Sequence, residues 1–265
     1  MKSSADVLTL IAQRAQLVQQ LSNEDVSTRS LTQILPASRS TVTRSLNKLE
    51  AKGLVQRSGN DYELTHYGRF VYQTYQQVID RYDTLTAAKP LLHHLPESVA
   101  IPRDVFDDAT VIRPKPPIPD DPRTQFANRV RQSEKIIGTA KIVDHRLVEL
   151  FHDQLTTHDF QLSLLIDKQV AEYFRHTYVN IFRTMLEIDH CTLWSAKQMP
   201  PFSLVIIDCS ELWLGVYNEH GQSQGFLQTE SSEAVEWAEQ YLQQLTEQAT
   251  SVDQQDAIAK AKRKQ

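Results

Sequence analysis

Glycine is scarce in this chain: seven residues in 265, at positions 53, 59, 68, 138, 215, 221 and 225. Neither G-x-G-x-x-G nor G-x-x-x-x-G-K can be written from them, which excludes the phosphate-cradling loops of those two nucleotide sites. Cysteine is scarcer still. Cys191 and Cys209 form no C-x-x-C and cannot build a disulfide framework, so both are expected to be plain buried thiols. H-E-x-x-H and G-x-S-x-G are also missing. No apolar run approaches the length of a membrane span, and the opening MKSSADVLTL lacks an apolar signal segment. The expectation is a soluble cytoplasmic protein with no membrane partner.

What is present is unevenly distributed. Residues 1–85 hold 10 Lys+Arg against 8 Asp+Glu, whereas the remainder holds 18 against 25, giving a net charge of −5. A slightly basic front on an acidic body suits a nucleic-acid-binding module joined to something else. Residues 90–122 contain 8 of the 11 prolines, which predicts a linker or an extended segment draped over the body. The expected organisation is therefore a DNA-binding domain over 1–88, a connecting segment over 89–122, an α/β effector or assembly domain over 123–250 and a basic tail over 251–265.

In the first of these, apolar spacing predicts a helix over 6–21, a shorter one over 27–34 capped by Ser27 and stopped at Pro36, and a third over 39–52 capped by Ser38. A hairpin turning at Gly59-Asn60 follows, then a long helix over about 66–86. On that last helix Val71, Tyr75, Val78, Tyr82 and Leu85 step by four and three, a seam that packs either on the chain's own core or on a second copy. Strand and helix segments alternate from residue 121 onward and end in a hairpin and a capped helix, which indicates a mixed sheet.

Three helices and a hairpin in this order make a winged helix-turn-helix. In the third helix Val42, Leu46 and Leu49 occupy one stripe, so Ser40, Thr41, Arg44, Asn47 and Lys48 occupy the opposite face. Arg44 suits guanine or phosphate, Thr41 a base edge, and Lys48 phosphate; Ser38, Arg39 and Ser40 lie at the helix start, and Arg57 and Asn60 on the wing. These residues are the expected contacts to double-stranded DNA.

The segment Ser38 to Val55 (SRSTVTRSLNKLEAKGLV) and the wing exit Tyr62 to Gly68 resemble MarR-like and ArsR-like regulators. Leu91–Pro96, Asp108–Val111, Pro201–Asp208, Leu212–Tyr217 and Ala234–Ala238 resemble archaeal, especially haloarchaeal, winged-helix regulators with a FilR-type middle domain. The resemblance spans about 5–248. It implies a dimeric transcriptional regulator whose body carries an effector or assembly function; helix 66–86 is the candidate dimer seam by its spacing, and the C-terminal domain the other candidate. It also implies an α+β winged-helix domain followed by an α/β domain similar to a TrmB sensor, that is, a phospholipase-D-like half without its chemistry. The mild acidity, with a pI near 6.0, departs from what a salt-saturated cytoplasm would favour.

That implied absence of chemistry can be tested. A phospholipase-D-type site needs H-x-K, and none of the nine histidines is followed two residues later by lysine. His145 and His152 stand two helical turns apart, about 10 Å, too far to share a metal ion. No catalytic residue, metal site or cofactor is expected. Trp194, Phe202, Asp208, Trp213 and Gly215, near the end of an apolar strand, are the candidate lining of a small-molecule effector pocket, the alternative being that such aromatics serve as core. The alternative to DNA binding is a protein-interaction module whose winged helix docks another protein.

Overall fold

The computed structural model describes residues 2–23, 25–118 and 120–252, the first three by backbone alone. Pro119 and the basic tail beyond residue 252 lie outside the described residues. The chain divides into two compact units, Met1–Tyr82 and Asp83–Gln265.

In the first unit, α1 (Lys2–Gln13) and α2 (Ala15–Asn23) stand where the sequence predicts one helix. The break falls at Arg14, whose N–H bonds to the Ile11 carbonyl three residues back, a tightened turn that apolar spacing does not register. β1 (Val26–Ser27), α3 (Thr28–Ile34) and α4 (Arg39–Glu50) follow, then β2 (Val55–Ser58) and β3 (Asp61–Leu64). Ser27 and Ser38 cap their helices as their positions predict, accepting from the N–H of Ser30 and Thr41 at 3.1 and 3.3 Å. α4 ends earlier than residue 52. Gly53, at φ 69°, bonds back to Glu50, and Leu54 bonds to Leu49 at 3.0 Å, closing the helix in a Schellman motif. The short β1 escapes the sequence reading; it pairs with β3, so the antiparallel sheet runs β1-β3-β2. Ile11, Val18, Leu31, Leu46, Leu49 and Leu54 are almost fully buried at its centre.

Helix α5 (His66–Leu92) outlasts its expected end near residue 86 and continues past the unit boundary through Pro90. Pro90 has no N–H to donate to Thr86, a local loss. Burial of Ala88 and Leu91 in the second unit's core accompanies the extension. The proline-rich stretch that follows is packed rather than free. Val105 and Phe106 of a short 3-10 helix (Arg103–Phe106) are buried, and β4 (Thr110–Ile112) pairs with the sheet as an edge strand, a place that tolerates nearby prolines.

The second unit continues through α6 (Asp121–Arg131), β5 (Lys135–Ala140), α7 (His145–Thr157), β6 (Gln161–Asp167), α8 (Lys168–Thr177), α9 (Val179–Glu187) and β7 (Cys191–Ala196). It ends with β8 (Phe202–Ile207), β9 (Glu211–Tyr217), β10 (Ser223–Thr229), α10 (Ser232–Glu247) and β11 (Thr250–Ser251). α8 and α9 are divided at Tyr178, which leaves helical geometry and sets its ring beside those of His145, Tyr173 and Phe174. The eight strands form one mixed sheet in the order β11-β7-β6-β5-β8-β9-β10-β4, with β5, β6 and β7 parallel and every other pairing antiparallel. α6 to α9 cover one face and α10 with the end of α5 the other. β8 is accordingly apolar at five of its six positions, as a strand buried on both faces must be.

Neither cysteine is the buried thiol expected. Cys209 is exposed and Cys191 half-buried. Cys209 occupies a turn at φ 56°, and β5 and β6 separate the strand of Cys191 from the strand that leads into that turn.

Candidate functional site

On α4 the amphipathic stripe is real. Val42, Leu46 and Leu49 are buried, joined by Ser45, whose hydroxyl donates to the Thr41 carbonyl at 2.9 Å. Ser38, Arg39, Ser40, Thr41, Arg44, Asn47 and Lys48 are all exposed. The Ser38 hydroxyl oxygen lies 2.9 Å from those of both Ser40 and Thr41, which clusters three hydroxyls at the helix N-terminus. Arg39, Arg44 and Lys48 have no ion-pair partner among the described residues. The outcome is an exposed face with three free cations, hydroxyls and an amide.

The β2–β3 hairpin turns at Gly59-Asn60, with Gly59 at φ 64°, the conformation a two-residue turn requires at its first position. Asn60 is exposed at its tip. Arg57 lies with its guanidinium 5.3 Å from the centre of the Tyr62 ring and 3.8 Å from the Glu50 carboxylate. Glu50 thus links the end of α4 to the hairpin, a role that spacing along α4 could not reveal. Arg14 was also missed. It lines a cleft of about 400 Å³ with Gln13, Gln16, Leu35, Thr41 and Ser45, and its buried Nε has no hydrogen-bond partner.

The five residues considered for an effector do not line one cavity. Phe202 is buried on the α5/α10 face of the sheet, whereas Trp213 is buried on the other, its ring 5.3 Å from Phe126 and 5.4 Å from Phe226. Gly215 follows on the Trp213 side, closely opposed by Ser203 and Phe226. Trp194 is half-buried on β7, with β6, β5 and β8 between it and Trp213. Asp208 belongs to a charged network. Its Oδ1 accepts from the N–H of Glu134 and Lys135 at 2.9 and 3.0 Å, and its Oδ2 accepts from Arg129 at 2.9 Å. Arg129 Nε donates to Glu211 at 2.6 Å, and Glu211 accepts in turn from Trp213 Nε1 and Gln228. Burial alone would raise the Asp208 pKa, but the hydrogen bonds from Arg129 and the two backbone amides outweigh it and hold the carboxyl below its usual range. Arg129 is shifted upward, its burial being outweighed by Asp208 and Glu211. These groups satisfy one another.

Comparison with known proteins places the second unit. Residues 119–248 match the middle domain of the methanogenesis regulatory protein FilR1. The matched stretch runs from before α6 to the end of α10 and includes the whole Arg129 network. Residues 2–87 match the family described as HVO_A0261 N-terminal domain. The body of the chain is thus similar to a domain of a regulatory protein. No curated protein matches the chain. Among solved structures, TrmBL2, described as an archaeal chromatin protein with a novel mode of DNA binding, is 12% identical with a TM-score of 0.43, over 92% of this chain and 97% of that one. Nuc of Salmonella typhimurium, a phospholipase D family member, is 12% identical (TM-score 0.38), and NucT of Helicobacter pylori 14% (TM-score 0.39). Each covers 54% of this chain and 96% of its own. Likenesses this distant fix neither a fold nor an activity. No helix among the described residues is long and apolar enough to cross a membrane.

Proposed function

We propose that this chain is a sequence-specific DNA-binding transcriptional regulator that works in the cytoplasm. Its first unit is read as a winged helix-turn-helix, with α3 and α4 as the two helices of the motif and the β2–β3 hairpin as the wing. One observation carries the reading: the exposed face of α4, where Ser40, Thr41, Arg44, Asn47 and Lys48 stand together, their cations without an ion-pair partner among the described residues. In the major groove Arg44 reads a base edge, with Thr41 and Asn47 beside it, while Lys48, Arg39 and the Ser38–Ser40 hydroxyls hold phosphate. Arg57 and Asn60 reach the backbone or minor groove from the wing. The exposed apolar face of α5 joins two copies, which matches a roughly palindromic site. The second unit, similar to a regulatory middle domain, tunes this activity by binding an effector or by assembly.

The test is binding of the full chain to DNA from upstream of its own gene across a salt series. Saturable, sequence-dependent binding that weakens as salt rises is expected. Arg44→Ala should cost about 1–3 kcal/mol at one base position and relax specificity there. Lys48→Ala should weaken all sequences alike and reduce the salt slope by about one. Unchanged binding by both variants would overturn the assignment of α4.

A further inference from the structure

The second unit contains a cleft of about 350 Å³ that none of the effector residues considered from sequence lines. A volume of this size suits a small molecule. One wall is apolar: Phe126 and Phe226, stacked at 5.4 Å, together with Ile142, Val143 and Leu147. Ile142, Val143 and Leu147 also line a second, smaller and almost wholly apolar cavity of about 70 Å³, so the wall has free space behind it. Tyr217, whose hydroxyl lies 3.1 Å from Ser203 Oγ, closes another side.

The charges at the cleft alternate in sign. Asp144 and Arg123 pair at 2.6 Å, Arg123 lies 3.6 Å from Asp120, and Asp120 pairs with Arg146 at 2.9 Å. Asp120, Arg123 and Asp144 line the cleft, with Arg146 held on Asp120 outside that lining, so a ligand there meets charges of both signs. Each carboxylate and guanidinium nevertheless keeps acceptor or donor capacity beyond these pairs. A ligand with both signs of charge on adjacent atoms would find a partner for each, and the apolar wall beside them accepts a hydrocarbon group.

We propose that this cleft binds a small zwitterion bearing an apolar side chain, that is, a free α-amino acid of the leucine, isoleucine or valine type. The ammonium lies against Asp120 and Asp144, the carboxylate against Arg123, and the side chain against Phe126, Val143 and Leu147. The proposal rests on the effector reading of the second unit only for its consequence, not for the binding itself.

The experiment is titration calorimetry of the full chain with L-leucine, L-isoleucine and L-valine, alongside 4-methylpentanoate, 3-methylbutylamine and glycine. Saturable binding is expected for at least one of the three amino acids. Affinity should fall about tenfold or more for each compound that lacks one charge or the side chain, a difference of about 1.4 kcal/mol. Arg123→Gln and Leu147→Trp should each abolish that binding; circular dichroism melts identify a variant that fails to fold, and the other variant then decides. No binding of any of the three amino acids at about 10 mM, well above a ~1 mM dissociation constant, would overturn the proposal. Equal binding of 4-methylpentanoate would overturn the zwitterion assignment, and full retention by both folded variants would overturn the location. A separate DNA-binding assay with and without the amino acid reads the regulatory consequence, so loss of the regulator reading leaves the calorimetric result standing.

Discussion

At the turn between β8 and β9 two residues other than glycine hold positive φ, Asp208 at 52° and Cys209 at 56°. Two left-handed central residues are the type I′ arrangement, which draws Asn, Asp or Gly because a Cβ is crowded there. Asp208 suits the position; Cys209 does not, at a cost of about 1–2 kcal/mol. Cys209→Gly should therefore raise stability by up to about 1 kcal/mol after glycine's larger unfolded-state entropy is subtracted. A lower urea midpoint would show that the thiol makes a compensating contact. Asp208 supports a pH prediction. Its folded pKa is depressed, so its contribution is complete above the ordinary carboxylate value of about 3.9 and disappears as pH falls through the lower folded value. Asparagine tolerates the same backbone and keeps an oxygen for the Glu134 and Lys135 amides, so Asp208→Asn removes mainly the charge facing Arg129. The variant should lose about 1–3 kcal/mol at neutral pH. Urea melts from pH 7 downward should show that gap closing below about pH 4; a constant gap would place its origin elsewhere.

At the scale of elements, Gly68 separates helix propensity from packing. It lies in the first turn of α5, where alanine is intrinsically better by about 1 kcal/mol. A Cβ there would run into the backbone carbonyl of Leu54, and the Gly68 N–H is held by Thr65 Oγ1, which itself donates to the Gly53 carbonyl. Gly68→Ala should consequently destabilise the first unit by about 1–3 kcal/mol despite the better propensity. A denaturation midpoint that rises would overturn this account. The same contrast explains what could be read from the sequence. Helix caps at Ser27, Ser38 and Ser231, the Gly59 turn and the buried stripe of α4 are local patterns, and each stands where its residues place it. The break at Arg14 is a local tightening that apolar spacing does not register, whereas the Tyr178 ring beside His145, the pairing of β1 and β11, and the burial of α5 residues beyond Thr86 depend on contacts distant in sequence. The effector candidates illustrate the limit most directly. Phe202 and Trp213 look equivalent as aromatics on neighbouring strands, but strand register sends them to opposite faces of the sheet. The charges at the cleft come from Asp120, Arg123 and Asp144, and only the fold of α6 beside α7 brings them together.

For the whole molecule, α5 poses the question of assembly. The seam Val71, Tyr75, Val78, Tyr82 and Leu85 divides between two roles. Val71 and Tyr75 pack partly on the first unit's core, whereas Val78 is 58% exposed and Tyr82 66%. Tyr67 and Phe70 are exposed as well, and at about 100° per residue these four exposed side chains of the first unit fall within about a third of the helix circumference. Single exposed apolar residues need no explanation, but a continuous stripe of them on one helix marks an interaction surface. Pairing with the same stripe of a second copy is the self-complementary arrangement that a two-fold dimer requires, and it would supply the two α4 helices of a palindromic site. Val78→Glu combined with Tyr82→Glu places two carboxylates in that stripe while leaving both buried cores untouched. Sedimentation across a concentration series should then show a dimer for the parent chain and a monomer for the variant, with unchanged circular dichroism. DNA binding should persist on a single half-site and lose its preference for the paired site. A parent chain that remains monomeric throughout would overturn the dimer and leave the stripe for a different partner, and a variant that remains dimeric would move the interface off α5.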